Sequence, residues 1–170
     1  MLSILDVAPD FKAFGVRGGG EPVEVRLSGL RGGWVLLFFY PRDFTRVCPT
    51  EIRELSKRRA ELGAEVLALS VDDAETHRRW IAEVLGEVAF PLLADPGGAV
   101  ARAYGALLEG EGVAARATFV IDPRGVIQYA AAHNLDVGRS ISELVRVLEA
   151  LRTGDAVAVG WQPSQPTLGH

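Results

Sequence analysis

Cysteine is almost missing from this chain: Cys48 is the only one among 170 residues. An intramolecular disulfide is therefore excluded, and so are a Cys-x-x-Cys redox pair and a thiolate-rich zinc site. Any redox chemistry at Cys48 must be completed by a second molecule, whether another protein, a small thiol or a second copy of the chain. Histidine is also scarce. Only His77, His133 and His170 occur, and none stands in a motif that places it beside the thiol, as a Cys–His hydrolase requires. No metal or haem ligand set is visible, and no cofactor is expected. The chain lacks a long basic run and its net charge is −4, which argues against nucleic acid as a main partner. No apolar stretch reaches the length of a membrane span. The first ten residues carry no basic segment, and Asp6 interrupts their short apolar run. They do not read as a secretory signal, and a cytoplasmic location is the default expectation. No internal repeat is present.

What remains is enough for one globular domain, since 48 % of the residues are hydrophobic and the length supports a real core. The centre of the chain is the stretch from Pro41 to Ile52. It follows an apolar run, Trp34 to Tyr40, that reads as a fully buried strand. It leads into a helix predicted over Glu51 to Leu62, with Pro49 suited to the first helical position because its missing N–H has no partner to lose there. Cys48 thus falls where a strand ends and a helix begins. Unpaired N–H groups and the positive end of the helix dipole favour an anion at that point, and the thiolate is the reactive form of cysteine. Arg42 and Arg46 add positive charge nearby, and Thr45 offers a hydroxyl to the sulfur or to a bound oxygen. A lone free cysteine is ordinarily a small buried hydrophobe; these neighbours reverse that reading.

The rest of the chain supplies a scaffold. Ala8 to Gly15 reads as a loop and short strand, and Val23 to Leu27 alternates apolar and charged residues as a half-exposed strand does; the two are expected to pair as a hairpin. Val66 to Val71 is a second buried strand, so strand, helix and strand form a parallel βαβ crossover. Functional groups gather beyond the carboxyl ends of such strands. Asp72 or Asp73 is expected to cap a helix over about Ala74 to Leu85, with Trp80 and Ile81 in the core and His77 at the surface or in a capping role. A short extended piece, Phe90 to Asp95, precedes a helix ending near Tyr104 and a loop from Leu107 to Ala115. Arg116–Ile121 and Val126–Ala131 flank Asp122-Pro-Arg-Gly125, a strong hairpin signal. Ser140 to Leu151 is an amphipathic helix with Ile141, Leu144, Val145 and Leu148 inward, stopped by Gly154. Two units are expected: residues 1–152 as the folded domain, and 153–170 as a C-terminal tail with Trp161 as its large anchor. The fold class is α/β, a central mixed sheet flanked by helices with an N-terminal hairpin extension.

With these residues in view, the chain resembles the peroxiredoxins, in particular the alkyl hydroperoxide reductase C / thiol-specific antioxidant group. The motif Pro-x-x-x-Thr-x-x-Cys stands complete as Pro41, Thr45 and Cys48, followed by Pro49 and Glu51. The likeness continues through Ala8-Pro-Asp-Phe11, Ser70-Val-Asp72, Phe90 to Asp95, Tyr104-Gly105, Arg116 to Asp122, His133-Asn134 and Val137-Gly-Arg139. It implies a thioredoxin-like fold. It further implies a thiol-dependent peroxidase in which Cys48 attacks a hydroperoxide and becomes a sulfenic acid. In that scheme Thr45 holds peroxide and sulfur in line, and Arg116 stabilises the thiolate and the charge on the leaving oxygen. Pro41 shields the sulfur from water, Glu51 orients the arginine, and Arg139 is a second member of that network.

The chain departs from the two-cysteine pattern of that group. In Gly154-Asp-Ala-Val-Ala-Val-Gly-Trp161, Val157 stands where a resolving cysteine is common and Ala158 where a proline is. The resemblance then implies a one-cysteine variant, with the sulfenic acid reduced by an external thiol or a thioredoxin- or glutaredoxin-like protein. It also implies a homodimer formed along the strand Val126–Ala131, with a ring of five dimers as a further assembly and a contact or loop role for His133. A peroxide sensor or chaperone on the same scaffold is the alternative, distinguished by the absence of thiol-dependent turnover.

Overall fold

The computed structural model describes residues 1–170. Two strands, β1 (Lys12–Gly18) and β2 (Glu21–Arg26), form the expected hairpin. Strand β3 (Val35–Phe39) runs into α1 (Cys48–Lys57) and a short α2 (Arg59–Leu62), then β4 (Glu65–Ser70). Next come α3 (Ala74–Trp80), which continues as one π-helical turn over Ile81–Leu85, and β5 (Val88–Ala94). The short helix α4 (Ala99–Ala103) precedes β6 (Leu107–Leu108) and β7 (Val113–Ala114), and β8 (Arg116–Ile121), β9 (Ile127–His133) and α5 (Ile141–Thr153) complete the order.

Seven strands make one mixed sheet in the order β2-β1-β5-β4-β3-β8-β9. β3 pairs parallel with β4, and β4 with β5; β8 lies antiparallel to β3, and β9 to β8. The parallel centre explains why Val35 to Tyr40 carries no polar residue. Every one of these side chains is buried, because helices or loops cover both faces of a parallel strand. Alternation divides them. Leu36, Phe38 and Tyr40 pack with Ile52, Leu55, Trp80, Leu144 and Leu148 on the helical side. Val35, Leu37 and Phe39 pack with Leu69, Tyr104, Phe119 and Ile127 on the other. Each such fully buried side chain contributes roughly 1.5–3 kcal/mol of transfer free energy. Where β1 crosses β5, a Cβ on Gly15 would stand 2.0 Å from the Leu92 carbonyl oxygen, so only glycine permits that close approach.

The hairpin β8–β9 closes on Asp122, whose Oδ1 accepts from the N–H groups of Arg124 and Val126, an Asx turn of the kind its Asp-Pro-Arg-Gly sequence favours. Strands β2 and β9 are the two edges of the sheet, and the N-terminal segment covers the start of β9 through hydrogen bonds at Ile127. Ser140 caps α5 by accepting from the Glu143 N–H, and Gly154 ends it in the left-handed conformation.

Three expectations are corrected. The helix predicted from Glu51 begins at Cys48, so Cys48 rather than Pro49 is its first residue; it also breaks at Arg58 instead of running through to Leu62. No glycine or proline announces that break. The loop Leu107–Ala115 contains the small β6–β7 ladder, whose strands are too short to leave a periodic signal. His77 is neither exposed nor a cap: it is wholly buried, and Asp73 alone accepts the capping hydrogen bond, from Thr76. The tail is anchored at Trp161, the residue the sequence singled out for it. Ala156 bridges Gly169, and buried Trp161 donates from Nε1 to the Gln165 carbonyl.

Candidate active site

The parallel β3 delivers the chain at Tyr40, and α1 takes it away from Cys48. Between them the loop Pro41–Val47 folds over the carboxyl end of the sheet. Cys48 is the first residue of α1 and is fully buried. Its helix places the positive end of its dipole there, which favours an anion, although the Thr50 and Glu51 N–H groups are taken by the Val47 carbonyl.

Arg116, the first residue of β8, reaches the same point from the neighbouring strand. Its Nη1 lies 3.3 Å from Cys48 Sγ and 2.8 Å from Glu51 Oε2. Its Nε donates to the Leu135 carbonyl at 2.7 Å. Three directions of the guanidinium are thus fixed, and the fork geometry of arginine is what allows it. The side chain is 3 % exposed, so the cation faces the sulfur through little water, where its field is strong.

Glu51, one turn into α1, holds a second guanidinium as well. Arg139 donates from Nη2 to Glu51 Oε2 at 2.9 Å, and from Nε and its backbone N–H to Oε1. Its Nη1 donates to the carbonyls of Phe39 and Ala117 and to Thr118 Oγ1. The same guanidinium lies 3.3 Å from the centre of the Phe38 ring, a cation–π contact. Burial pushes the Glu51 carboxyl up, but the hydrogen bonds and charge of Arg139, with the charge of Arg116, more than offset it, and it sits below the ordinary glutamate range. Burial holds Arg139 below the ordinary arginine value, with Glu51 opposing. The network ties α1, the end of β3, β8 and the loop before α5 to one carboxylate.

On the outer side of Arg116, whose guanidinium separates it from the buried sulfur, opens a cleft of about 550 Å³ lined by Pro41, Arg42, Thr45, Arg46, Val47 and Arg116 among others. Pro41 is buried, while Thr45, Arg42 and Arg46 are exposed. The Thr45 hydroxyl donates to the Arg42 carbonyl at 3.1 Å. It is therefore not a donor to the sulfur, as the sequence suggested; its oxygen remains free to accept from a ligand O–H. Arg42 and Arg46 stand at the rim of the cleft and make no contact with the sulfur, which takes its positive neighbour from Arg116 instead. Of the six residues named from the sequence, Pro41, Thr45 and Arg116 line this cleft, Cys48 and Glu51 lie behind Arg116, and Glu51 and Arg139 line a separate cavity.

One cluster escaped the sequence. Tyr40 donates to Asp43 Oδ1 at 2.8 Å, His77 Nδ1 lies 2.7 Å from Asp43 Oδ2, and the Asp43 N–H donates to Asp72 Oδ2. These bonds anchor the loop at Asp43, immediately before Phe44, which takes a left-handed φ of 55°. The sequence signal was Asp43 itself, an acidic residue inside an otherwise apolar and basic loop.

A cysteine sulfur met by a guanidinium, with a hydroxyl and a cleft on the far side of that guanidinium, is suited to attack on a small electrophilic oxygen. No group of histidine, cysteine and acidic residues has the arrangement of a metal site, and no helix is long and apolar enough to cross a membrane. The sequence profile of the AhpC/TSA family matches residues 4–130. A putative peroxiredoxin from the rubredoxin operon of Clostridium pasteurianum is 42 % identical over 95 % of this chain and 96 % of its own length. Peroxiredoxin-2 of Macaca fascicularis is 43 % identical over 95 % of this chain and 87 % of its own. Among solved structures, the reduced 2-Cys peroxiredoxin of Plasmodium vivax superposes with a TM-score of 0.93 at 33 % identity, covering 98 % of this chain and 93 % of that one. The AhpC of Enterococcus faecalis gives 0.84 at 36 % identity, covering 93 % and 99 %.

Proposed function

Since the chain belongs to the AhpC/TSA family of thiol-dependent peroxidases, we propose that it reduces hydrogen peroxide and small organic hydroperoxides through a sulfenic acid on Cys48, which an external thiol then clears. The observation that carries this reading is the 3.3 Å approach of Arg116 Nη1 to the one sulfur in the chain.

In the first step the Cys48 thiolate attacks the terminal oxygen of ROOH. The S–O bond forms as the O–O bond breaks, sulfur is oxidised by two electrons, and RO⁻ leaves to take a proton. Arg116 faces both the sulfur and the cleft, where the negative charge moves from one to the other. Thr45 accepts from the peroxide O–H and so orients it. Pro41, buried beside the cleft, keeps water from the sulfur. Glu51 and Arg139 act through Arg116 by fixing its orientation. In the second step a thiol displaces the oxygen as water and leaves a mixed disulfide, which a second thiol resolves.

The tail supports the one-cysteine reading, because Val157 stands half-buried in its packed turn and has no sulfur to offer. The outer edge of β9 beyond Ile127, where the N-terminal segment pairs with it, supports a two-fold dimer in which two such edges pair, with rings of dimers as a further assembly. A cytoplasmic setting fits a free, reduced thiol.

The test measures peroxide loss with dithiothreitol for the wild type and for Cys48→Ser. Turnover that vanishes in the variant is expected. Equal rates in the two would eliminate the assignment. Oxidation of Cys48 without turnover would indicate a sensor on the same scaffold.

A further inference from the structure

The cleft lined by Arg116, whose guanidinium lies 3.3 Å from Cys48 Sγ, is bipolar. Arg42 and Arg46 come to it from the loop Pro41–Val47, Glu111 from the turn between β6 and β7, and Asp136 from the segment between β9 and α5. All four are exposed. Their backbones are engaged: the Arg42 carbonyl accepts from Thr45, and the Glu111 and Asp136 N–H groups donate to Leu108 and Asn134. Their charged ends make no ion pair or hydrogen bond, whereas most arginines of this chain do, including Arg58, Arg102, Arg124 and Arg146. Arg116, the fifth charge in the cleft, is already committed to Glu51, Leu135 and the sulfur. Two cations and two anions on separate chain segments therefore face one space with their charges unused.

Hydrogen peroxide has no group for either sign. An anionic hydroperoxide would use the arginines but meet the carboxylates as repulsion. Only a molecule carrying both charges engages all four. The enzyme's second substrate, an external thiol, is the one whose identity the chemistry leaves open.

We propose that the cleft selects as reductant a small zwitterionic thiol, its carboxylate held by Arg42 and Arg46 and its ammonium by Glu111 and Asp136. This rests on the external-thiol reading above. The thiol sulfur attacks Cys48 Sγ, the S–O bond of the sulfenic acid breaks, and hydroxide leaves with the thiol proton as water. A second molecule of the thiol attacks the outer sulfur of the mixed disulfide, releasing the low-molecular-weight disulfide and Cys48 as thiol. The two thiols supply the two electrons. A volume of about 550 Å³ falls within the range of small-ligand pockets and admits an amino-acid-sized thiol.

The experiment generates the sulfenic acid with one equivalent of hydrogen peroxide. It then measures its rate of loss to four probes, compared at equal thiolate concentration: cysteine, 3-mercaptopropionate, cysteamine and 2-mercaptoethanol. Cysteine is expected to react about tenfold faster than 2-mercaptoethanol, the sum of a few exposed charge interactions, with an advantage that falls as salt is added. In Arg42→Gln/Arg46→Gln the ratio of cysteine to cysteamine collapses. In Glu111→Gln/Asp136→Asn the ratio of cysteine to 3-mercaptopropionate collapses. Wild-type rates for the four probes within about threefold of one another would overturn the charge selection alone. Loss of the sulfenic acid to none of them, nor to dithiothreitol, would overturn the external-thiol reading and this inference with it.

Discussion

His77 Nδ1 lies 2.7 Å from Asp43 Oδ2, and neither side chain reaches solvent. The pair joins helix α3 to the loop that carries Pro41 and Thr45 and leads into Cys48 at the start of α1. Tyr40 satisfies the other carboxylate oxygen and stacks on Trp80 with ring centres 5.7 Å apart. Burial pushes the Asp43 carboxyl up, with the His77 hydrogen bond opposing. His77 Nε2 has no protein partner, so the ring serves Asp43 through Nδ1 alone. Its position below the loop makes it a strut for the site rather than a participant in the chemistry.

Removing that strut strands a buried carboxyl. His77→Leu is expected to cost about 3–5 kcal/mol, the scale for breaking one side of a buried pair. His77→Asn places an amide N–H near the position of Nδ1 and should recover a substantial part. Urea denaturation of the three proteins measures both. Equal losses in the Leu and Asn variants would show that His77 contributes shape and not its hydrogen bond.

Glu51 predicts a dependence on pH. Its carboxyl is held below the ordinary glutamate value of 4.5 against the opposing effect of burial. A depressed folded value means that its stabilisation is fully present above the unfolded value and is lost as pH falls through the folded one. Wild-type stability should therefore decline with acid below about pH 4.5 in part through this group. Glu51→Gln leaves two buried guanidiniums without their carboxylate and should cost about 3–5 kcal/mol at neutral pH. It should also remove that part of the acid slope. Denaturant midpoints between pH 3 and pH 7, read at intervals of about one unit, give both numbers. An unchanged slope in the variant would show that other carboxylates carry the acid sensitivity.

The sequence exposed this site wherever one residue type at one spacing has a single physical use. The apolar run Trp34–Tyr40 has to be a strand covered on both faces. The Asp122-Pro-Arg-Gly125 turn has to reverse the chain, and together with the register shift between Val120 and Ile121 it sets Arg116 opposite His133. The Pro41, Thr45 and Cys48 spacing marks the loop and the helix start. What stayed hidden depends on contacts between distant segments. His77 sits in a helix between charged residues, and nothing local says that its face turns inward onto Asp43. Glu51 and Arg139 are 88 positions apart; the family resemblance named both as one network, but the bonds of Arg139 to the carbonyls of Phe39 and Ala117 belong to tertiary packing alone. Arg42 and Arg46 read as neighbours of the sulfur because they are close in sequence; the loop turns them out to the rim instead.

Arg116 separates a catalytic role from a structural one. Its Nη1 contacts both Cys48 Sγ and Glu51 Oε2, so substitution alters the sulfur's surroundings and the carboxylate network together. Arg116→Ala is expected to slow sulfenic-acid formation tenfold or more, on a scale of about 1.4 kcal/mol per decade. Arg116→Lys keeps the charge but not the fork. An ammonium cannot span the Leu135 carbonyl, Glu51 and the sulfur at once, so it should restore stability more fully than rate. The two effects are read separately, by denaturant midpoint and by trapping of the sulfenic acid after single-turnover mixing with peroxide. If Lys restores the oxidation rate completely, positive charge alone is sufficient and the precise fork is unnecessary. If Ala already oxidises at the wild-type rate, Arg116 is only a partner for Glu51, and the thiolate must be favoured by the start of α1 alone.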